Sequence, residues 1–492
     1  MIILKVLLLT TNSNTNVPPL GQYLISAYYQ KTYPEKEIEI LVKFYENYQQ
    51  FRILKLIAAE KPDLIGLGCY IWNISAMMFL ANEIKNLYPW IKVVLGGPNI
   101  SYNDTELIQL VKLDKVDYLI VGEGERTFAN LLNNLFDNKH NMNSEIPGLI
   151  GKNINGEIFS NLRTNDNLIE IDDLPNPYML YPQLVEEVKE FGFASLETAR
   201  GCPYKCAYCM CGESSFQPSL KQRSIKKIIE DITYLRDSGI NKIIMLDPTF
   251  NFDIKRSKEI LRQVITLNSD FDFMCEIKVE LLDDDLIRLM MEAKFKSIEI
   301  GLQTSNIKTL KTINRYHDRE KFIQNIDKLK QTDMFMIVDL IIGLPNETLN
   351  DFNKSLDFCY NIGNIKISCG MLKLYPNTGL YNDREKYEYQ YDPERLNKVV
   401  KSSTMTKEEI DFAESMINTV NVFWSHSECD EYLRSYVRVI CERYFNNQFS
   451  MLIKELTIYL TEHSSLEMIT LKLSVENRKS ILEYFIENKI KI

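Results

Sequence analysis

The chain has 492 residues, of which 45% are hydrophobic and 25% are charged, and its formal net charge is −10. This is the composition of a globular protein large enough to bury several cores without disulfides, and it excludes disordered and fibrous classes. The acidic balance argues against a nucleic-acid partner, because binding to phosphates needs a basic surface.

The termini and apolar runs give no sign of export or of a membrane span. Residues 1–9 are apolar but contain Lys5 and continue directly into polar residues, which predicts a buried strand and not a signal peptide. The apolar run 334–344 is interrupted by Asp339 and is too short to cross a bilayer. We therefore expect a cytoplasmic protein with reduced cysteines, in which a tight cysteine cluster indicates a metal site.

Residues 1–136 alternate short apolar runs with patterns of helical period. This alternation predicts an α/β domain with a doubly wound, Rossmann-like parallel sheet covered by helices on both faces. Strands are predicted at 2–9, 37–44, 64–69, 93–95 and 118–121, and helices at 20–30, 53–60, 75–87, 105–111 and 126–136. Ligands of such sheets bind beyond the carboxyl ends of the strands.

Residues 137–189 are rich in Asn, Asp and Pro and are predicted to form a linker, in which Pro175 and Pro177 forbid a continuous helix. Residues 190–386 then contain six strand–helix units, which predicts a partial (β/α)6 barrel of the TIM type. The strands are predicted at 194–198, 242–246, 272–277, 297–300, 336–342 and 366–372, and the helices at 226–238, 256–268, 283–292, 306–313, 319–332 and 349–361.

The strand pattern is predicted to stop at about residue 387. Residues 387–492 are predicted to form a helical C-terminal domain. Its helices are predicted at 412–423, 431–445, 451–460 and 476–488.

Three cysteines, Cys202, Cys206 and Cys209, directly follow the first predicted barrel strand. Three thiolates in so short a loop can each bind one iron of a four-iron cluster and leave the fourth iron open. An open metal position can bind a substrate or a cofactor. The alternative is a zinc site with Cys211 as the fourth ligand, although structural zinc sites usually combine two separated cysteine pairs.

This cysteine spacing, with the aromatic Tyr208 before the third cysteine, resembles the signature of the radical S-adenosylmethionine (radical SAM) superfamily. The resemblance implies that the open iron binds S-adenosylmethionine and that an electron from the [4Fe–4S] cluster cleaves it to a 5′-deoxyadenosyl radical. It also implies an electron donor such as a flavodoxin or a ferredoxin. Candidate S-adenosylmethionine contacts at the ends of the barrel strands are then Tyr208, Asp247, Pro248, Glu276, Lys278, Glu299, Gln303, Gly343 and Pro345. Taken singly, such residues are also ordinary in strand-to-helix turns.

Four glycine- or aromatic-containing loops of the first domain lie at predicted strand ends, where glycine lets a large ligand approach the backbone. A ligand-free domain with glycine-rich turns explains the spacing of these residues as well. The Pro-Pro-Leu-Gly, Gly-Gly-Pro and Gly-Glu-Gly-Glu segments, however, resemble the cobalamin-binding domain that precedes many radical SAM domains. This resemblance implies as cobalamin contacts Pro18, Pro19, Leu20, Gly21, Tyr70, Ile71, Trp72, Asn73, Gly96, Gly97, Pro98, Glu123, Gly124 and Glu125.

One departure from the cobalamin-binding pattern is the missing Asp-x-His-x-x-Gly motif, whose His ligates cobalt. The chain has four His residues, His140, His317, His426 and His463, and none lies in a loop expected at the corrin. We therefore expect cobalt without a protein His ligand and residues 70–73 at its lower side. Related methylthiotransferases carry three further cysteines in this domain, where this chain has only Cys69, which argues against sulfur insertion.

These features predict a cobalamin-dependent radical SAM enzyme that methylates an unactivated carbon of a small-molecule, lipid or peptide substrate. One alternative keeps both cofactors but catalyses a radical cyclisation or rearrangement. The other is a non-catalytic, metal-stabilised binding module. No catalytic residue beyond the cofactors is proposed, because the cofactors carry the difficult chemistry.

Overall fold

The computed structural model of the protein describes residues 4–12, 18–46, 49–101, 105–162, 169–212, 220–315, 318–363, 365–425, 431–463 and 473–490. Predictions for residues 2–3 of the first strand, for His317 and for His426 lie outside these ranges. The chain forms two compact units, one made of Met1–Gly201 and Ser214–Ile244, the other of Cys202–Glu213 and Met245–Ile492. None of the helices within the described ranges is both long enough and apolar enough to span a bilayer.

The first unit contains a seven-stranded sheet. Its strands are β1 (Leu4–Asn12), β2 (Ile38–Glu46), β3 (Leu64–Gly68), β4 (Lys92–Gly96), β5 (Tyr118–Ile120), β6 (Leu149–Lys152) and β7 (Ile158–Ser160). They lie in the order β2-β1-β3-β4-β5-β6-β7, and the first five are parallel. The strand order reverses direction between β1 and β3, and in doubly wound sheets this switch point is where ligands bind.

Helices flank the sheet of the first unit and confirm the predicted doubly wound architecture. They are α1 (Leu20–Thr32), α2 (Gln50–Glu60), α3 (Ile74–Leu87), α4 (Thr105–Lys112) and α5 (Gly124–Phe136). Ile53, Met77 and Leu107, from α2, α3 and α4, join one buried core with Leu7 and Leu95 of the sheet. Residues 6–11 of β1 are buried without alternation, as expected for a central parallel strand covered on both faces. Helices α1 and α5 pack against each other.

The predicted linker, residues 137–189, contains more regular structure than its composition indicates. Strands β6 and β7 extend the sheet as an antiparallel pair, joined by a turn in which Gly156 has a φ of +80°. Two separate helices follow, α6 (Pro177–Leu180) and α7 (Pro182–Phe191), and each begins at a proline, whose fixed φ suits the first helical position. Strands of three or four residues are too short to give a periodic sequence signal, and the domain boundaries stay a prediction.

Six strand–helix units follow in chain order and confirm the predicted barrel-type α/β fold class. In the first unit lie β8 (Ala194–Leu196), β9 (Ala199–Arg200), β10 (Lys221–Gln222), α8 (Ile225–Asp237) and most of β11 (Lys242–Met245). In the second unit lie α9 (Ile254–Thr266), β12 (Asp272–Ile277), α10 (Asp284–Glu292), β13 (Phe295–Gln303), α11 (Ile307–Thr312), α12 (Arg319–Leu329), β14 (Phe335–Ile342), α13 (Leu349–Ile362) and β15 (Ile365–Met371).

Strands β12 to β15 are parallel neighbours in chain order, so their carboxyl ends share one edge. Alternate residues of β14 are buried, whereas Ile337, Asp339 and Ile341 between them are half-buried. This period of two places Asp339 on the face of the sheet that the barrel-type curvature turns inward.

The C-terminal region is helical, as predicted, but it begins with a hairpin that the sequence did not indicate. Its elements are α14 (Gly379–Asn382), β16 (Gln390–Asp392), β17 (Lys398–Lys401), α15 (Lys407–Val420), α16 (Glu431–Phe445), α17 (Phe449–His463) and α18 (Val475–Lys489). The prediction that strands stop at residue 387 is therefore wrong. Both strands are short, and the turn between them has positive φ at Leu396 and Asn397, which no motif signals. The Trp424 indole donates a hydrogen bond to the Ile365 carbonyl and ties this region to β15.

Candidate cofactor sites

A cavity opens at the carboxyl ends of the strands of the first unit. It encloses about 1000 Å³, a value that includes the space open to solvent. Its walls come from the sheet, from α1 and α5, and from Glu197 and Arg200. It therefore lies at the switch point where the topology places a ligand.

Glycines in the cavity wall let neighbouring groups pack closely against the backbone at this end of the sheet. A Cβ on Gly66 would lie 2.7 Å from Leu8 Cδ2, and one on Gly68 would overlap the amide of Gln22. Gly97 has a φ of +113°, and its Cβ would lie 2.6 Å from the Cys69 carbonyl oxygen. At Gly96, in contrast, an added Cβ finds its nearest neighbour at 3.7 Å. The cradle suits a large ligand that lies close to the backbone, which fits a corrin cofactor.

The structure brings eight of the fourteen candidate cobalamin residues to the cavity wall. These are Gly21, Tyr70, Gly96, Gly97, Pro98, Glu123, Gly124 and Glu125. Pro18, Pro19, Leu20, Ile71, Trp72 and Asn73 are not among the lining residues. Their contact with cobalamin stays a prediction, as does that of the eight.

The candidate residues in the loop after β3 lie in different environments. Asn73 is buried, and its Nδ2 donates to Thr10 Oγ1, to the Thr11 carbonyl and to the Gly68 carbonyl, while its Oδ1 accepts from the Tyr70 N–H. It thereby holds the loop against β1. Trp72 is 42% exposed, so it is not a core residue, and its ring stacks on Tyr70 with centroids 4.6 Å apart. Burial, and then the nearby Glu197, raise the pKa of Tyr70 to about 12, which keeps the phenol neutral.

His residues do not contribute to the cavity within the described ranges. His463 lies in the last turn of α17, where its Nδ1 is 2.9 Å from the Tyr459 carbonyl oxygen. His140 begins a short 3₁₀ helix.

A network of buried ion pairs stands at the cavity wall. Arg200 Nη2 lies 2.7 Å from Glu125 Oε1 and 2.8 Å from Glu197 Oε2, and Arg200 Nη1 lies 3.8 Å from Glu123 Oε1. Lys221, opposite Arg200 in the β9–β10 pair, lies 2.7 Å from Glu123 Oε2. Burial alone would lower the pKa of Arg200, but the attraction of Glu125 and Glu197 outweighs this effect and raises the pKa well above its usual value.

The cysteine loop is fixed within the second unit by its own backbone. The Ala207 N–H donates to the Ile313 carbonyl at 2.9 Å, and the Leu380 N–H donates to the Ala207 carbonyl at 2.8 Å. The thiols of Cys202 and Cys209 are half-buried and that of Cys206 is buried. Burial raises the pKa of Cys202, against the lowering effect of hydrogen bonds from the Tyr204 N–H and from Thr249.

The donor set fits an iron–sulfur cluster. Across the described ranges, no three His, Cys, Asp or Glu side chains converge closely enough to share one metal ion. A four-iron cluster does not need such convergence, because each thiolate binds a separate iron. Cys211 contacts Cys209 through a side-chain hydrogen bond that, together with burial, raises the pKa of Cys211.

Arg315, which the sequence analysis missed, lies beside this loop. Its Nε and Nη2 donate to the Gly301 carbonyl at 3.0 and 2.6 Å, and its Nη1 is 3.7 Å from Cys206 Sγ. A side chain at Gly301 would overlap this guanidinium, so the glycine makes room for it. The arrangement puts a fixed positive charge next to a cysteine that the sequence predicts to carry negative charge.

Carboxyl groups crowd the inward face of neighbouring barrel strands. Glu276 of β12 pairs in register with Glu299 of β13, and Asp339 comes from β14. Burial, and then Glu299, raise the pKa of Glu276 to about 7 and that of Asp339 to about 8. Burial therefore favours the protonated forms of Glu276 and Asp339 near neutral pH.

The remaining candidate S-adenosylmethionine contacts lie at the carboxyl ends of the strands, and their roles stay predictions. Asp247 and Pro345 are buried, Pro248 is half-buried, and Gly343 has a φ of +86°. Lys278 is buried, pairs with Glu280 at 2.7 Å and lies 4.6 Å from the centre of the Tyr204 ring. Gln303 is buried with a φ of +67°, where β13 shifts register, and burial raises the pKa of Tyr208 well above its usual value.

Behind this edge, Glu347 is a carboxyl group in the protein interior. It is 1% exposed, and its Oε1 accepts a hydrogen bond from Thr304. Thr304 also lies 3.3 Å from Ser355 on α13, so the group joins β13 to that helix. Burial raises the pKa of Glu347 to about 8.

Comparison with known proteins identifies two domains. The B12 binding domain family matches residues 6–132, and the Radical SAM superfamily matches residues 196–359. The chain is 24% identical over 75% of its length to the uncharacterized methyltransferase PH0819 of Pyrococcus horikoshii, covering 78% of that protein. It is 25% identical over 67% of its length to the cobalamin-dependent radical SAM methyltransferase TokK of Streptomyces tokunonensis, of which it spans about half, 49%.

A solved structure has the same fold. The cobalamin-dependent S-adenosylmethionine radical enzyme OxsB with aqua-cobalamin bound superposes with a TM-score of 0.69 and 15% sequence identity. The match covers 99% of this chain and 79% of that one. The two domains imply a [4Fe–4S] cluster, S-adenosylmethionine and cobalamin as cofactors.

Replacing Glu347 by Gln should flatten the dependence of stability on pH. A carboxyl whose folded pKa lies above its unfolded value stabilises the fold below about pH 4.5, and this contribution is lost as pH rises through about 8. The amide keeps the acceptor for Thr304 but does not titrate. Thermal unfolding followed between pH 5 and 8.5 should show a smaller loss of Tm in the variant. Equal losses in both proteins would contradict the placement of Glu347.

Proposed function

We propose that this chain, which matches the Radical SAM superfamily over residues 196–359 and the B12 binding domain family over residues 6–132, is a cobalamin-dependent methyltransferase acting on an unactivated carbon. In this proposal Cys202, Cys206 and Cys209 hold the [4Fe–4S] cluster, and the glycine-lined cavity of the first unit holds cobalamin. The observation that carries the proposal is the presence of both sites in one chain: a fixed three-thiol loop and a glycine cradle at a switch point.

When bound, the cofactors supply a carbon-centred radical and a transferable methyl group. The chain's own residues bind the cofactors, orient them and shield them. Three thiolates leave one iron without a protein ligand, and Arg315 offers its charge to the Cys206 side of the cluster. Tyr70 lies in the cavity wall, where burial raises the pKa of its phenol to about 12. The relatives PH0819 and TokK are both named as methyltransferases, which supports methyl transfer.

The test is anaerobic turnover with S-adenosylmethionine carrying a deuterated methyl group, a chemical reductant and extract of the host cells. We expect 5′-deoxyadenosine, S-adenosylhomocysteine and a product heavier by one labelled methyl group. A product of unchanged carbon count would instead support radical cyclisation or rearrangement. Absence of 5′-deoxyadenosine from protein with a full complement of iron would contradict radical chemistry altogether.

Alanine at Cys202, Cys206 or Cys209 should abolish the cluster, because two thiolates cannot hold it. We expect loss of most of the iron, of the visible absorption of the cluster and of reductive S-adenosylmethionine cleavage. Cys211→Ala is the matched control, since this thiol contacts Cys209 but is not a proposed ligand. Loss of the cluster in Cys211→Ala with retention in Cys209→Ala would overturn the assignment.

Filling the cavity at Gly96 should prevent cobalamin binding while the fold persists. A Cβ at this position meets ordinary contacts, so Gly96→Ala should retain cobalamin and Gly96→Leu should project into the cavity and exclude it. Cobalt content after reconstitution, with circular dichroism as the check on folding, measures this. Full cobalt in a folded Gly96→Leu protein would place cobalamin elsewhere.

Removing the charge of Arg315 should make the cluster harder to reduce, because a cation beside a ligating thiolate favours the more negative, reduced state. We expect a more negative midpoint potential for Arg315→Gln and a smaller shift for Arg315→Lys. An EPR-monitored redox titration without S-adenosylmethionine separates this effect from cofactor binding. An unchanged potential in the Gln variant would refute the role.

A further inference from the structure

The ion pairs around Arg200 connect two segments that the proposed function assigns to different cofactors. Glu123 and Glu125 frame Gly124 in the loop after β5, and all three residues line the cavity. Arg200 lies two residues before Cys202 in the sequence, separated from it only by Gly201. One guanidinium therefore ties the cavity wall to the strand that leads into the cysteine loop.

Three features make this connection rigid. Arg200 and Glu125 have side chains that are 10% and 6% exposed, so water screens their attraction little. Arg200 Nε and Nη2 also donate hydrogen bonds to Glu197 Oε2, at 3.1 and 2.8 Å. A planar guanidinium held at several points has few alternative positions.

The opposite strand repeats the arrangement with a second cation. Lys221 faces Arg200 in the antiparallel pair β9–β10. Its Nζ reaches both oxygens of Glu123, at 2.8 and 2.7 Å, and the Ile169 carbonyl at 2.8 Å. Two neighbouring strands thus hold the same acidic loop, and neither the cavity wall nor this strand pair can shift without breaking buried ion pairs, which is costly.

We propose that Arg200 is a positioning residue that couples cobalamin binding to the iron–sulfur cluster. The backbone of Ala207 already anchors the middle of the cysteine loop. A bound cluster would add a restraint at Cys202, and through Gly201 it would also restrain the strand that carries Arg200. Arg200 then holds the Glu123–Glu125 loop in the place where it forms the cavity wall. Cobalamin binding to the pre-ordered wall costs less conformational entropy, and by linkage cobalamin stabilises the cluster to the same degree. The inference rests on the proposed function, because it takes the cavity as the cobalamin site and Cys202 as a cluster ligand.

The test compares the dissociation constant of hydroxocobalamin for the full chain with its cluster and for the same chain after anaerobic removal of iron by a chelator. For the unsubstituted protein we expect at least fivefold tighter binding when the cluster is present, within the usual range of coupling between sites. Arg200→Met should reduce this ratio to about one, and Arg200→Lys to an intermediate value. The reciprocal readout is the rate of iron loss to the chelator, which cobalamin should slow in the unsubstituted protein and not in Arg200→Met.

Arg223→Met provides a control of matched burial. Arg223 is 6% exposed and pairs with Asp231 at 2.9 Å in the same unit, and it is not among the residues that line the cavity. Arg223→Met should lower the stability of the protein as Arg200→Met does. It should nevertheless keep the ratio of hydroxocobalamin dissociation constants that the unsubstituted protein shows without and with the cluster. If Arg200→Met keeps the full ratio, or if the unsubstituted protein shows none, the coupling is refuted. If neither the protein with its cluster nor the iron-free protein binds hydroxocobalamin, the proposed cobalamin site is overturned instead.

Discussion

The structure depends on holding still a loop that carries three cysteines, of which Cys206 is buried and Cys202 and Cys209 are half-buried. Two backbone hydrogen bonds at Ala207 do this, one received from Leu380 and one given to Ile313. They use groups that no side-chain substitution removes, and they anchor the loop midway between Cys206 and Cys209. A loop anchored in this way can present three thiolates in a constant arrangement, which a cluster with an open iron requires.

Around this loop the second unit places charges of both signs in a partly buried space. Arg315 lies on the side of Cys206, and Glu276, Glu299 and Asp339 lie on the inward faces of three neighbouring strands. Burial keeps some of these carboxyls protonated near neutral pH, so the site can both donate and accept hydrogen bonds. In the first unit, glycines at positions 66, 68, 96 and 97 instead line the cavity at the carboxyl edge of the sheet.

Sequence alone predicted the parts of this architecture that are local. The strand and helix order follows from hydrophobic periods, and the cysteine loop is a contiguous motif. Arg315 could not be found in this way, because it reaches Cys206 across 109 residues of sequence. Arg200, which pairs with Glu125 from a distant part of the sequence, could not be found for the same reason. The hairpins β6–β7 and β16–β17 are too short for a period to be visible. Asn73 shows the opposite difficulty: a polar residue in a ligand-facing loop is predicted as a contact, while its amide holds that loop to β1.

The most direct test of the account is electron–nuclear double resonance on the reduced protein mixed anaerobically with S-adenosylmethionine labelled with ¹⁵N in its amino group. If three cysteines leave one iron open, the labelled nitrogen binds that iron, and a strong ¹⁵N hyperfine coupling to the [4Fe–4S]⁺ signal is expected. A reduced cluster signal with no coupling to the labelled nitrogen would contradict the central claim.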